Sequence, residues 1–124
     1  MRRIACLIVL AGCLILAAPA LAAPRIEVSP RTVDRDQTQV VKGRGWPVIE
    51  FCKRRIVVKL KTAQNRARLG SARVRRSGRF RFEWTADAAN VGSGRWRLVA
   101  RLRCESGDDG SAVFVRRSVR IRIR

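Results

Sequence analysis

Beyond Pro24 the chain shows no sustained helical apolar period. Several short stretches instead alternate apolar and polar side chains with period two, separated by Gly, Ser, Asn and Asp. The clearest is GRWRLVARLRC, residues 94–104. There Trp96, Leu98, Ala100, Leu102 and Cys104 share the parity expected to face a core, and Arg95, Arg97, Val99, Arg101 and Arg103 share the other. In residues 78–85, Phe80, Phe82 and Trp84 stand opposite Arg79, Arg81 and Glu83. In residues 54–61, Ile56, Val58 and Leu60 lie on the parity of Cys52, opposite Val57, Lys59 and Lys61. At the end of the chain Val119, Ile121 and Ile123 alternate with Arg120, Arg122 and Arg124. Assigning Phe114 to the core as well requires a bulge between Arg116 and Ser118, because Phe114 is on the opposite parity.

With residues 25–28, 38–45, 67–75 and 111–124 added, the pattern predicts seven strands and an all-β domain. The expected architecture is a single seven-stranded immunoglobulin-like antiparallel β-sandwich. If strands 54–61 and 94–104 are antiparallel neighbours, the start of one lies beside the end of the other. Cys52 and Cys104 then meet with core-facing parity, which predicts a disulfide.

The amino terminus has a different pattern. Arg2 and Arg3 precede an uninterrupted apolar or small-residue run from Ile4 to Ala22, and Ala20-Leu21-Ala22 places small residues where signal peptidase needs them. Residues 1–22 are therefore expected to be a cleaved signal peptide and 23–124 the mature β domain, secreted or at the cell envelope. Two alternatives stay open: lipidation at Cys13, since Leu10-Ala11-Gly12-Cys13 resembles a lipobox, and retention of the run as an uncleaved anchor. Cleavage removes Cys6 and Cys13 and leaves Cys52 and Cys104 as the natural pair.

The segments IEVSP, VVKGRGWP, VVKL, LGSARV and SGRFRFEW resemble those of the secreted bacterial immunoglobulin-like domains that include the neocarzinostatin fold. The likeness covers most of residues 25–124 and rests on strand and turn residues. It implies a fold and export. No chromophore-cleft residue has a counterpart in this sequence, so no binding residue is carried over.

Charge then changes the picture. Lys and Arg total 28 against 9 Asp and Glu, a formal +19, and only four of the cations are Lys. Such a surface favours an anionic partner, and Arg suits phosphate through planar, bidentate contacts. Compositional bias of a genome toward Arg codons produces the same excess without any function. If strands 54–61, 94–104 and 111–124 share a sheet, its outer face collects Lys59, Lys61, Arg97, Arg101, Arg103, Arg120, Arg122 and Arg124. Arg73, Arg75, Arg79 and Arg81 are assigned to the other sheet. Like charges on neighbouring strands repel, so the face costs stability unless anions screen it. The partner classes that fit are teichoic acid, anionic lipid headgroups, acidic polysaccharide and extracellular nucleic acid. A protein partner to a structural accessory domain is the alternative.

Catalytic chemistry is sparse. The chain has no His and no Tyr, its Ser residues lack an activating neighbour in sequence, and its acids occur singly apart from Asp108-Asp109. No enzyme activity, cofactor or metal is expected. Glu105, Asp108 and Asp109 fit a hairpin turn better than a Ca²⁺ loop. Trp84 and Trp96 have core parity, and Trp46, beside Pro47 in a loop, is the one Trp that an exposed aromatic platform could use; core packing is the favoured reading for all three.

Overall fold

The computed structural model describes residues 23–106 and 110–124. The segment read as an export signal, and Asp108 and Asp109 of the last turn, lie outside them. The described elements are β1 (Arg25–Ser29), β2 (Thr32–Val33), β3 (Gln39–Arg44), β4 (Cys52–Lys61), β5 (Arg66–Arg73), β6 (Phe80–Trp84), one helical turn α1 (Ala86–Ala89), β7 (Gly94–Ser106) and β8 (Ser111–Ile123). They form a three-stranded sheet, β1-β3-β6, and a five-stranded sheet, β2-β8-β7-β4-β5. Both contribute to one core: Val28, Val41, Phe80 and Trp84 from the first, and Ile56, Val58, Leu60, Leu98, Leu102, Ile121 and Ile123 from the second.

The chain is therefore all-β, with two sheets, as the alternation predicts. The strand count differs from the expected seven. Each expected strand has a counterpart, and β2 is an addition of two residues that pairs parallel with the end of β8. It arises because the chain leaves the three-stranded sheet at Pro30 and joins the edge of the other sheet. The helical turn was also not expected. Thr85 caps it by accepting from the Ala88 amide at 3.2 Å, and Asn90 closes it in the left-handed region at φ 53°. Four residues are too few to register as a helical period.

Two further expectations are corrected, and the core packing favoured for the Trp residues holds at Trp46. The pairing of β7 with β8 runs without a register shift from Gly94↔Ile123 to Ser106↔Ser111. There is thus no bulge near Arg116, and Phe114 stays on the outer parity, exposed. The strand carrying Arg73 belongs to the five-stranded sheet, because a tight turn closed by the Thr62 amide on the Asn65 carbonyl at 2.8 Å makes β4 and β5 a hairpin. Trp46 is buried at 2% exposure, with its edge against the Phe80 ring and its indole N–H donating to the Arg25 carbonyl.

The mixed pattern of β5 has a local cause. A register shift opposite Val58 and Lys59 leaves Leu69 unpaired, and Gly70 takes φ 150°, which a side chain disfavours. Inward parity therefore changes from Ala67 and Leu69 before the bulge to Ala72 and Val74 after it. In the other sheet Gly43 is required by packing, since the Phe80 ring occupies the space a Cβ would fill. Buried Gln39 is satisfied at both ends: its Oε1 accepts from the Trp84 indole at 2.9 Å and its Nε2 donates to the Pro30 carbonyl at 2.8 Å. Cys52 and Cys104 face each other on β4 and β7 and are bonded, so the disulfide staples neighbouring central strands.

Candidate functional site

The register of the five-stranded sheet turns the alternation of single strands into rows across them. Arg66 pairs with Lys61, Lys61 with Arg97, and Arg97 with Arg120, so four cations stand side by side on β5, β4, β7 and β8. Neighbouring strands are about 4.8 Å apart, and the row thus spans roughly 14 Å at the backbone. The adjoining row reads Arg68, Lys59, Val99 and Ser118, and the one beyond it Ser71, Val57, Arg101 and Arg116. On the other side Arg95 pairs with Arg122, which faces Thr32 of β2. Arg31, Thr32, Arg95, Arg97, Arg120 and Arg122 line a shallow depression of about 470 Å³ at that end.

Long stems fill the space between these charges. Val99 points away from the core yet is only 7% exposed. Its neighbours on that face are Lys59 and Ser118 across the strands and Arg97 and Arg101 along its own, so aliphatic stems supply its cover. Burial, together with the cations Arg101, Lys61, Arg68 and Arg66, holds the Lys59 ammonium below the ordinary lysine pKa. Phe114 pairs with Arg103, and its ring receives the Arg101 guanidinium at 4.5 Å and that of Arg116 at 5.5 Å. The parity that excluded Phe114 from the core thus gives it two cations as partners.

No Asp or Glu occupies these rows. The acid of the same parity on β7 is Glu105, at the far end of the strand, opposite Ala112. The ion pairs among the described residues lie elsewhere: Arg35–Asp87, Arg44–Glu27, Arg81–Glu83 and Arg124–Asp34. The contrast with the three-stranded sheet is direct. Its outer face also carries Arg25, Lys42, Arg44, Arg79 and Arg81, but Glu27 and Glu83 stand among them and are paired.

Of the eight residues expected at the site, Lys61, Arg97 and Arg120 fall in one row. Lys59 and Arg101 flank it, Arg122 lines the depression, and Arg103 sits beside Phe114 toward the disulfide end. Arg124 lies past β8, with Nε 3.4 Å from Asp34. Arg31, Arg66, Arg68, Arg95 and Arg116 also belong to the face or its rim. The first three become visible only through strand order, and Arg116 was hidden by the assumed bulge. Arg95 has the right parity in the sequence and lacked only a partner strand to place it. Among the described residues no cluster of acids, Cys and His is arranged to hold a metal. No helix among them is long and apolar enough to cross a membrane. No protein-family model matches this chain, and none of the characterised proteins compared with it does.

Proposed function

We propose that this chain is a small exported β domain that binds a polyanion across the outer face of its five-stranded sheet. The observation that carries this reading is the row Arg66–Lys61–Arg97–Arg120, four cations on adjacent strands with no carboxylate in their rows or the neighbouring ones. Such a row opposes folding by self-repulsion, and a ligand with repeated phosphate, sulfate or carboxylate groups removes that opposition on binding. The prevalence of Arg over Lys favours phosphate among these. An immunoglobulin-like sandwich and cleavage after Ala22 belong to the same proposal. They are supported by the disulfide between neighbouring antiparallel strands and by the apolar run before Ala23.

Retention on phosphocellulose tests the reading. A face variant with Arg97, Arg101, Arg120 and Arg122 changed to Gln is expected to elute well before a control with Arg25, Lys42, Arg75 and Arg79 changed to Gln. The control removes the same charge from the other sheet and its neighbouring loop while leaving the ion pairs intact. Equal retention of the two variants would assign the arginines to a solvated surface and the domain to a structural or protein-interaction role.

A further inference from the structure

β8 has a long open edge. β7 pairs with it along its whole length, whereas β2 covers its other side only at Arg122 and Ile123. Among the described residues no strand pairs with that edge from Ala112 to Val119, and where the chain before β1 comes near it the Arg117 guanidinium donates to the Pro24 carbonyl at 2.8 Å. Ala112, Val113 and Phe114 are exposed, Val113 at 51% and Phe114 at 36%, although their side chains alternate between the two faces. The run Ala112–Val115 is apolar and β-prone and carries neither Pro nor a charge, the cations beginning only at Arg116, so this part of the edge is a template for strand addition.

We infer that β8 pairs antiparallel with β8 of a second copy of this chain, about a two-fold axis at Phe114. The sequence around that point is self-complementary. Phe114 meets Phe114 of the second copy, Val113 meets its Val115, and Ala112 meets its Arg116. Centring on Val115 instead would set Val113 against Arg117. Charge favours the same register. Ala112 stands opposite Glu105 on β7, and both have outer parity. Arg116 of the second copy therefore reaches across the small alanine toward Glu105, and the symmetry repeats the contact. The two-fold axis runs through the sheet, so the two basic faces lie on the same side and become one continuous surface. The pairing itself does not depend on what that surface binds.

Sedimentation equilibrium over a concentration series, on nuclease-treated protein at high ionic strength, tests this. High salt removes association bridged by a polyanion and leaves strand pairing in place. The native chain is expected to show a monomer–dimer equilibrium. Val113→Lys with Phe114→Lys abolishes it, while Phe51→Lys, which adds a cation at another exposed site, preserves it. Phe114→Cys gives a disulfide-linked dimer under air that reductant dissolves, and Ser118→Cys does not. A native chain that stays monomeric throughout, a dimer that persists in the double-Lys variant, or equal crosslinking by the two Cys variants overturns the inference.

Discussion

If the row through Arg97 repels itself, removing its middle charge stabilises the fold, against the usual expectation for an exposed substitution. Arg97 has a cation on each side, Lys61 and Arg120. Taking a separation of about 7 Å between the charged ends, two unit charges in water repel by about 0.6 kcal/mol. Two such neighbours give about 1.2 kcal/mol before screening. With a Debye length of about 30 Å at 0.01 M salt most of that survives, and with about 3 Å at 1 M almost none does. Part of the Arg stem that shields Val99 is lost in Arg97→Gln, which costs a few tenths of a kcal/mol at either salt concentration. The expected net gain is about 0.5–1 kcal/mol at low salt, a rise in Tm of roughly 2–8 °C for a domain of this size. At 1 M the gain disappears. Arg35→Gln is the reference with the opposite sign, because Arg35 is paired with Asp87 at 3.1 Å and also donates to the Val91 carbonyl, and its removal lowers Tm at low salt. Thermal melts of the ligand-free protein at the two salt concentrations read the effect. If Arg97→Gln lowers Tm at low salt, or raises it equally at both, the row is not self-repelling and the argument for a bound anion loses its basis.

The remaining predictions concern the frame and one side chain of the face. Cys52→Ser opens a loop of 52 residues and is expected to lower stability by about 4 kcal/mol in the chain-entropy treatment, measured by urea unfolding; a loss under about 1 kcal/mol would contradict it. Gln39→Leu strands the Trp84 indole N–H and the Pro30 carbonyl and is expected to cost about 2–4 kcal/mol, whereas an unchanged denaturation midpoint would mean that the buried amide carries no weight. Lys59 has a folded pKa below its unfolded value, so its charge opposes folding at neutral pH, and that opposition fades as pH rises through the folded pKa toward 10.5. Lys59→Met should therefore raise stability at pH 7 and lose much of that advantage toward pH 10.5, as followed by urea midpoints against pH; a pH-independent difference would refute the electrostatic origin.

Period-two alternation located nearly all the strands, and the parity of Cys52 and Cys104 placed their disulfide, because both depend on residues within one strand or a pair of them. What escaped depends on relations between strands. Phe114 was assigned inward because it is apolar, and the uninterrupted β7–β8 register instead puts it under two guanidiniums. Arg68 was missed because β5 was placed in the wrong sheet, and Arg66 because the expected strand began at residue 67, although the short turn from Lys61 to Arg66 leaves little choice but a hairpin with β4. Trp46 sits beside Pro47 in a connection that resembles a surface loop, and its burial comes from Phe80, far along the chain. The charge of the face could be read from composition. Its scarcity of acids could be read from strand parity as well; which cations stand beside one another could not, because that depends on strand order and register.

The central claim is that the polyanion is held by this face and not by overall charge, and the salt dependence of binding to a single-stranded oligonucleotide, used as a defined chain of phosphates, tests it most directly. Each phosphate contact contributes about 0.7 to the slope of log K against log salt on a single strand. Changing Arg97, Arg101, Arg120 and Arg122 to Gln is predicted to flatten the slope by about 3. Changing Arg25, Lys42, Arg75 and Arg79 to Gln should leave the slope at its native value, with only a modest loss of affinity. Equal flattening in both variants, or none in either, would contradict the assignment of the site to the five-stranded sheet.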